Sequence, residues 1–197
     1  MTESASTEPP VTESSLPDKL IAVHEQLAAV KVPHAFGGDI ALAYYAEPNP
    51  TAHIDLNLFT PTKRWQETID ALVPLGIEVE SFDPAVLKRN GLIRLWWGHA
   101  SFSLFFASDE IHDEMPKFAR RVPFAGTTLP ILAPEHLAIC KAMFDRPKDW
   151  LDIEQMLVAA DGMDVASVEE WLTRMVGKDD PRLQRLAELK AKLAVSG

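Results

Sequence analysis

From Pro134 onward the chain offers four stretches of helical periodicity and no strand: 134–144, 147–160, 165–176 and 181–194. Each opens at or beside a proline or a capping aspartate, where a helix can begin without losing an internal hydrogen bond. Such a back part cannot supply a sheet. Any sheet must therefore be drawn from the residues before it, which alternate between strand and helix patterns. The expected fold class is α/β (α+β), with a small mixed sheet in a core over 16–132 and a helical region over 133–197 packed on it. Residues 1–15 are rich in Thr, Ser, Glu and Pro, with little to bury, and are expected to form a disordered tail.

Within the front part, an amphipathic helix is expected from Pro17 to about Val30, with Leu20, Ile21, Val23, Leu27 and Val30 near its apolar face. A short strand over 33–36 runs into Gly37-Gly38, and a helix follows over 39–45, with Asp39 as its N-cap. The stretch 53–59 alternates strictly: Ile54, Leu56 and Leu58 face one side, and His53, Asp55 and Asn57 the other. A helix over 63–75 ends at Gly76, and a short strand over 77–80 and a helical piece over 84–89 come next. The stretches 92–97 and 101–107 form a hairpin turning at Gly98-His99. Trp96 and Trp97 fall on opposite sides of its first strand, so one ring belongs to the core and the other is either rim packing or a stacking surface for a base. A helix over 109–118 and extended pieces over 121–124 and 128–131 complete the front part.

Charge and composition exclude some functions. The net charge of −10 argues against a general nucleic-acid coat, which would need clustered Lys and Arg. Between Val86 and Lys148 the balance reverses, with nine Lys/Arg against six Asp/Glu, enough for a local groove. The single cysteine, Cys140, has no partner for an internal disulfide and fits a cytoplasmic protein. The sequence has no apolar run of spanning length and no apparent secretory leader, so no membrane association is expected. The six histidines show no zinc-ligand spacing.

Two constellations carry chemistry. Gly37 and Gly38 sit where a strand meets a helix start, and glycine there permits positive φ and close approach of a phosphate to bare N–H groups. Asp55, on the polar face of the alternating strand beside His53, is a carboxylate on a rigid element of the kind magnesium uses together with substrate phosphates. A tight turn and a solvent-facing edge strand are the structural alternatives. Farther on, Lys141 lies on an apolar stretch, where an ammonium needs an anionic partner or a path to water. Asp149 falls in the first turn after Pro147, where the helix dipole favours it. Asp152 lies three residues on, on the same face, and is placed to orient Lys141 or to help deprotonate an incoming hydroxyl. Arg146 is placed either to pair with Asp149 or to clamp a phosphate.

Phe36-Gly37-Gly38-x-x-Ala41-Leu42-Ala43, followed by Thr51-x-His53-Ile54-Asp55-Leu56-Asn57, resembles the signature of the DNA polymerase β-like nucleotidyltransferases. More closely, it is similar to the AbiEii/MenT group of nucleotidyltransferase toxins. The likeness runs through 129–137 to Lys141 and into Asp145-Arg146-Pro147-Lys148-Asp149-Trp150-Leu151-Asp152-Ile153. The resemblance implies a nucleoside triphosphate substrate, Mg2+ at Asp55, and nucleotide contacts from Gly37, Gly38, His53, Lys141 and Arg146. It implies Asp55, Lys141 and Asp152 as catalytic residues, tRNA as acceptor at its 3′ end, and a cognate antitoxin. The superfamily's further acids have His53 and Ser103 in their places here, so the metal site is expected to be reduced. Two other readings stand beside the toxin: a non-catalytic nucleotide- or partner-binding module, and a small-molecule adenylyltransferase of the aminoglycoside type.

Overall fold

The computed structural model describes residues 14–79 and 84–196. The expected tail, save Ser14 and Ser15, lies outside them, as does Glu80 of the expected strand over 77–80. Helix α1 (Leu16–Ala29) is capped by the Ser15 hydroxyl, which accepts from Asp18 N–H at 3.3 Å. Then follow β1 (His34–Phe36), α2 (Gly38–Leu42), β2 (His53–Pro61), α3 (Trp65–Leu72), α4 (Pro84–Asn90), β3 (Leu92–Trp97) and β4 (Ala100–Ala107). After α5 (Ile111–Phe118), β5 (Arg120–Phe124) and β6 (Thr127–Ile131), the chain is helical among the described residues: α6 (Pro134–Phe144), α7 (Pro147–Ala159), α8 (Val165–Val176) and α9 (Pro181–Ser196).

The strands form one mixed sheet in the order β3-β4-β2-β1-β6-β5. β2 is thus internal, antiparallel to β1 and parallel to β4, which rules out the edge-strand reading of its polar face. Alternation divides the sheet into two chemistries. On one face Ile54, Leu56 and Leu58 sit opposite Phe102, Leu104 and Phe106, and β3 adds Leu95 and Ile93 to the same rows. All are buried, in one core cluster with Leu20, Val23 and Leu27 of α1 and Ile69 and Leu72 of α3. The cluster extends into the helical part through Leu137, Ile153, Met156, Leu172 and Leu186. Each such side chain contributes about 1.5–3 kcal/mol by leaving water.

Two expectations fail locally. The stretch 77–80 forms no strand among its described residues: its ladder pairing is a single bridge, Glu78 to Trp96. Asp39 is not the N-cap of α2. Gly38, with φ +51°, already begins the helix, and Gly37 occupies the cap.

His34 of β1 is buried, and its Nδ1 is 2.7 Å from the Val32 carbonyl, while Nε2 meets His24 Nδ1 at 2.9 Å. Burial is the main cause that pushes its pKa down to about 4. Below pH 6.5 the unfolded chain takes up a proton that the folded chain refuses. His34 therefore costs no stability above pH 6.5, and stability falls as pH drops toward 4, by up to about 3 kcal/mol. Chemical denaturation of wild type and His34→Gln at both ends of this window measures it. A wild-type-minus-variant difference that does not change with pH would remove His34 from the account.

Candidate functional site

The second face of the sheet is the floor of a cleft of about 700 Å³. The register of β2, β4 and β3 sets its side chains in rows: His53, Ser101 and Trp96; Asp55, Ser103 and Arg94; Asn57, Phe105 and Leu92. At one end stands the glycine turn. Gly37 N–H donates to the Asp55 carbonyl at 2.8 Å, which draws the turn down onto β2. The Asp55 carboxylate lies against Gly38: a Cβ there would fall 2.0 Å from Asp55 Oδ2, so only glycine fits. A Cβ on Gly37 would meet Asn57 Nδ2 at 2.7 Å.

His53 fills the place between the two serines and the aspartate. Its Nδ1 is 2.5 Å from Ser101 Oγ, and its Nε2 lies 2.9 Å from Asp55 Oδ1 and 3.0 Å from Ser103 Oγ. The imidazole and two hydroxyls thus occupy positions where further carboxylates would be needed for a pair of magnesium ions. Among the described residues no three His, Cys, Asp or Glu side chains converge on a common metal position. A two-ion arrangement does not fit this floor. A single magnesium entering with a triphosphate has one carboxylate to meet on the strand, Asp55.

The roof is made by α6 and α7. Asp145, at φ +55°, closes α6 and turns the chain into α7, and its Oδ1 accepts from Trp150 Nε1 at 2.7 Å. That turn brings Lys141 against Asp152, Nζ to Oδ2 2.6 Å, with both side chains buried. Asp39, in the first turn of α2, lies 4.0 Å from the same Nζ. Lys141 is therefore the buried cation of α6 in the roof, held between the Asp152 carboxylate and that of Asp39 at the N-terminus of α2.

Arg146 pairs with Asp149. Nε and Nη2 donate to the carboxylate at 2.7 and 2.9 Å, and the Arg146 backbone N–H donates at 3.1 Å. This bidentate bond is the chief cause that raises the guanidinium pKa, with smaller effects from Asp149, Asp55 and Asp39 as charges, so Arg146 shares the field of the cleft. Its guanidinium stacks 4.9 Å from the Phe144 ring, and Phe144 meets Phe105 of the floor edge to face. Asp149 is fully buried. Asp149→Ala is expected to destabilise the fold by about 1–2 kcal/mol through loss of the cap at α7. A thermal melt reads this, and an unchanged melting temperature contradicts it.

Cys140 also lines the cleft, but burial, with Asp55 adding to it, pushes its thiol up to about 12. It stays protonated and is not a nucleophile. The structure thus gathers Gly38, His53, Asp55, Lys141 and Arg146 around one cleft, while Gly37 does not line it and Asp152 reaches it only through Lys141. Three further residues of the cleft carry no site signal in the sequence reading, Asp39 beside Lys141, Asn57 under Gly37 and Arg94 on the outer strand, and of the Trp96-Trp97 pair it is Trp96 that lines the cleft. Asn57 was within reach, since strict alternation already put it on the face of Asp55. No helix among the described residues is long and apolar enough to cross a membrane.

No protein-family model matches this chain, and no curated protein does. Solved structures do resemble it. ANT(2'')-Ia in complex with adenylyl-2''-tobramycin matches with a TM-score of 0.58 and 15% identity, over 91% of this chain and 99% of that one. The lincosamide antibiotic adenylyltransferase LnuA, with lincomycin bound, matches with 0.51 and 12%, over 74% and 98%. A nucleotidyltransferase-like protein from Paracoccidioides brasiliensis matches with 0.50 and 14%, over 92% and 88%. The fold of this chain is that of the nucleotidyltransferases: a mixed sheet in an α/β core, followed by helices.

Proposed function

We propose that the chain is a nucleotidyltransferase that moves a nucleoside monophosphate from a nucleoside triphosphate to an RNA hydroxyl. The observation that carries this is the apposition of Gly38 and Asp55 on the floor with Lys141 on the roof. A glycine turn, the helix start after it and an ammonium lie around one space, an arrangement that suits a polyphosphate. In the reaction the acceptor oxygen forms a bond to the α-phosphorus, the bond from that phosphorus to the bridging oxygen breaks, and pyrophosphate leaves. The hydroxyl proton passes to solvent. Lys141 offsets charge that builds on the pyrophosphate, and Asp152 acts through it, as a positioning residue. Arg146, fixed by Asp149, stands at the cleft edge within reach of the same anion. His53, held by both serines, orients Asp55 and presents its ring edge to the phosphates. Magnesium bound with the triphosphate would shield its charge, and Asp55 is the residue that would hold it.

The resemblance to the AbiEii/MenT group carries the narrower proposal: a toxin of a toxin–antitoxin pair that extends the tRNA 3′ end and so blocks aminoacylation and translation, restrained by a cognate antitoxin in the cytoplasm. The test is incubation of the protein with each labelled nucleoside triphosphate and magnesium, offering total tRNA or an aminoglycoside as acceptor. Label on tRNA 3′ ends is the expected result, with growth arrest on expression. Label on the aminoglycoside alone would replace this reading with a resistance adenylyltransferase. Triphosphate binding with no labelled product of either kind would replace it with a binding module.

A further inference from the structure

We propose that Arg94 and Trp96 form the acceptor subsite, and that it takes the terminal nucleotides of a single-stranded RNA and not a polycationic small molecule. The proposal rests on the nucleotidyl-transfer reading and names the acceptor side of that same cleft. Across the floor the sheet order is β3-β4-β2-β1, and the glycine turn follows β1. Asp55 on β2 therefore lies between the glycine pair on one side and Arg94 on the other. Two strand spacings put the Arg94 backbone roughly 10 Å from that of Asp55. The triphosphate end and the β3 end thus flank the reacting centre, the order a transfer reaction needs.

The side chains at the β3 end are chemically distinctive. Arg94 shares a row with Asp55 and Ser103, and Trp96 shares one with His53 and Ser101. Both line the cleft, and alternation puts them on one face two residues apart. Trp96 is 42% exposed, a large ring left open where its neighbour Trp97 packs on the core. Two of the other cleft cations are engaged, Lys141 by Asp152 and Arg146 by Asp149, while Lys148 lies on the roof helix α7 and not on β3. Among the described residues Arg94 has no hydrogen bond or ion pair to occupy its guanidinium. An open aromatic face beside a free guanidinium suits a base that stacks and a phosphate that pairs. A polycationic acceptor meets the like charge of Arg94 here, although Glu78 pairs opposite Trp96 and Asp109 also lines the cleft, so competition with tobramycin decides between the two acceptors.

The experiment measures two affinities on wild type, Arg94→Glu, Trp96→Ala and Trp96→Phe: one for a non-hydrolysable triphosphate analogue, one for a short fluorescent oligoribonucleotide with a free 3′-hydroxyl. Trp96→Ala is expected to weaken the RNA by about tenfold or more, and Trp96→Phe to restore most of that. Arg94→Glu is expected to weaken the RNA and to lower the slope of log affinity against log salt by about one or more. The analogue should bind all four proteins alike, which also shows that they are folded. RNA affinity indifferent to these substitutions overturns the proposal. So does a parallel loss of analogue and RNA affinity in folded variants, which places both residues in the nucleotide site, and so does tobramycin binding that displaces the RNA from wild type. Failure of wild type to bind the analogue at all would instead strike the transfer reading, while the RNA titrations would still decide this one.

Discussion

Lys141→Met is expected to lose about 3–5 kcal/mol of folding stability, and triphosphate affinity with it, because it leaves the Asp152 carboxylate buried without a counter-charge. The pair joins α6 to α7 at 2.6 Å, and both side chains are almost wholly removed from water. Among the described residues the Asp152 carboxylate accepts from the Lys141 ammonium alone, and no second donor among them makes up the loss. Stability and function separate in the double variant Lys141→Met/Asp152→Leu. Replacing a buried ion pair by apolar groups is often neutral or stabilising, so the double variant should recover the fold. It should not recover triphosphate affinity, because the cation facing the cleft is gone. Denaturant titration and nucleotide titration of the three proteins check both halves. A single variant as stable as wild type would show that the pair is not buried as described, and a double variant that binds triphosphate normally would remove Lys141 from the site.

Gly38→Ala is expected to cost about 100-fold or more in nucleotidyl transfer. Two independent effects converge on this atom. The backbone is in the left-handed region at φ +51°, which an L side chain adopts at a cost of about 1–2 kcal/mol. The new methyl would lie 2.0 Å from Asp55 Oδ2, so the carboxylate or the turn must move. A displacement of about 1 Å among positioned groups is enough for a loss of that size. Gly37→Ala should do less, since its methyl would press on Asn57 Nδ2 at 2.7 Å, the end of a side chain that can turn aside. Initial rates of label transfer under matched folding measure the pair. Equal rates for Gly38→Ala and wild type would mean that the glycine turn has no part in the reaction.

Much of the fold was legible because it is local. The alternation over 53–59 identified β2 and which of its side chains share a face, and proline starts located α6, α7 and α9. What local pattern could not supply was the neighbour of β2. Parallel pairing of β2 with β4 leaves no turn between them to read, and the strands come together only across α3, α4 and β3. For that reason Arg94 could not be seen as a cleft residue, and alternation alone did not say which of Trp96 and Trp97 faces the cleft: their rows exist only once the register of three strands is known. Ile77 drew a strand expectation by being apolar, but it is a buried residue of a connecting turn with one bridge beside it. Capping logic put Asp39 at the N-cap, two positions earlier in the helix than it lies: Gly37 is the cap and Asp39 the second helical residue. The positive φ of Gly38 lets the helix begin before it, which turns Asp39 toward Lys141. The toxin family suggested by the motifs is narrower than what the fold conveys, because proteins of this fold act on different acceptors and differ in residues outside the shared core.

The central claim is that the glycine turn, Asp55 and Lys141 form one triphosphate site. Titration of isotope-labelled protein with a non-hydrolysable nucleoside triphosphate analogue and magnesium, followed by backbone amide shifts, tests it most directly. The account expects saturable shifts that are largest at Gly37, Gly38 and Asp39 and extend to Lys141, and expects them to be lost in Asp55→Ala and in the Lys141→Met/Asp152→Leu double variant. Saturable shifts confined to another surface, such as the groove between His24 and Arg121, or shifts at the glycine turn that persist undiminished in both variants, would contradict it.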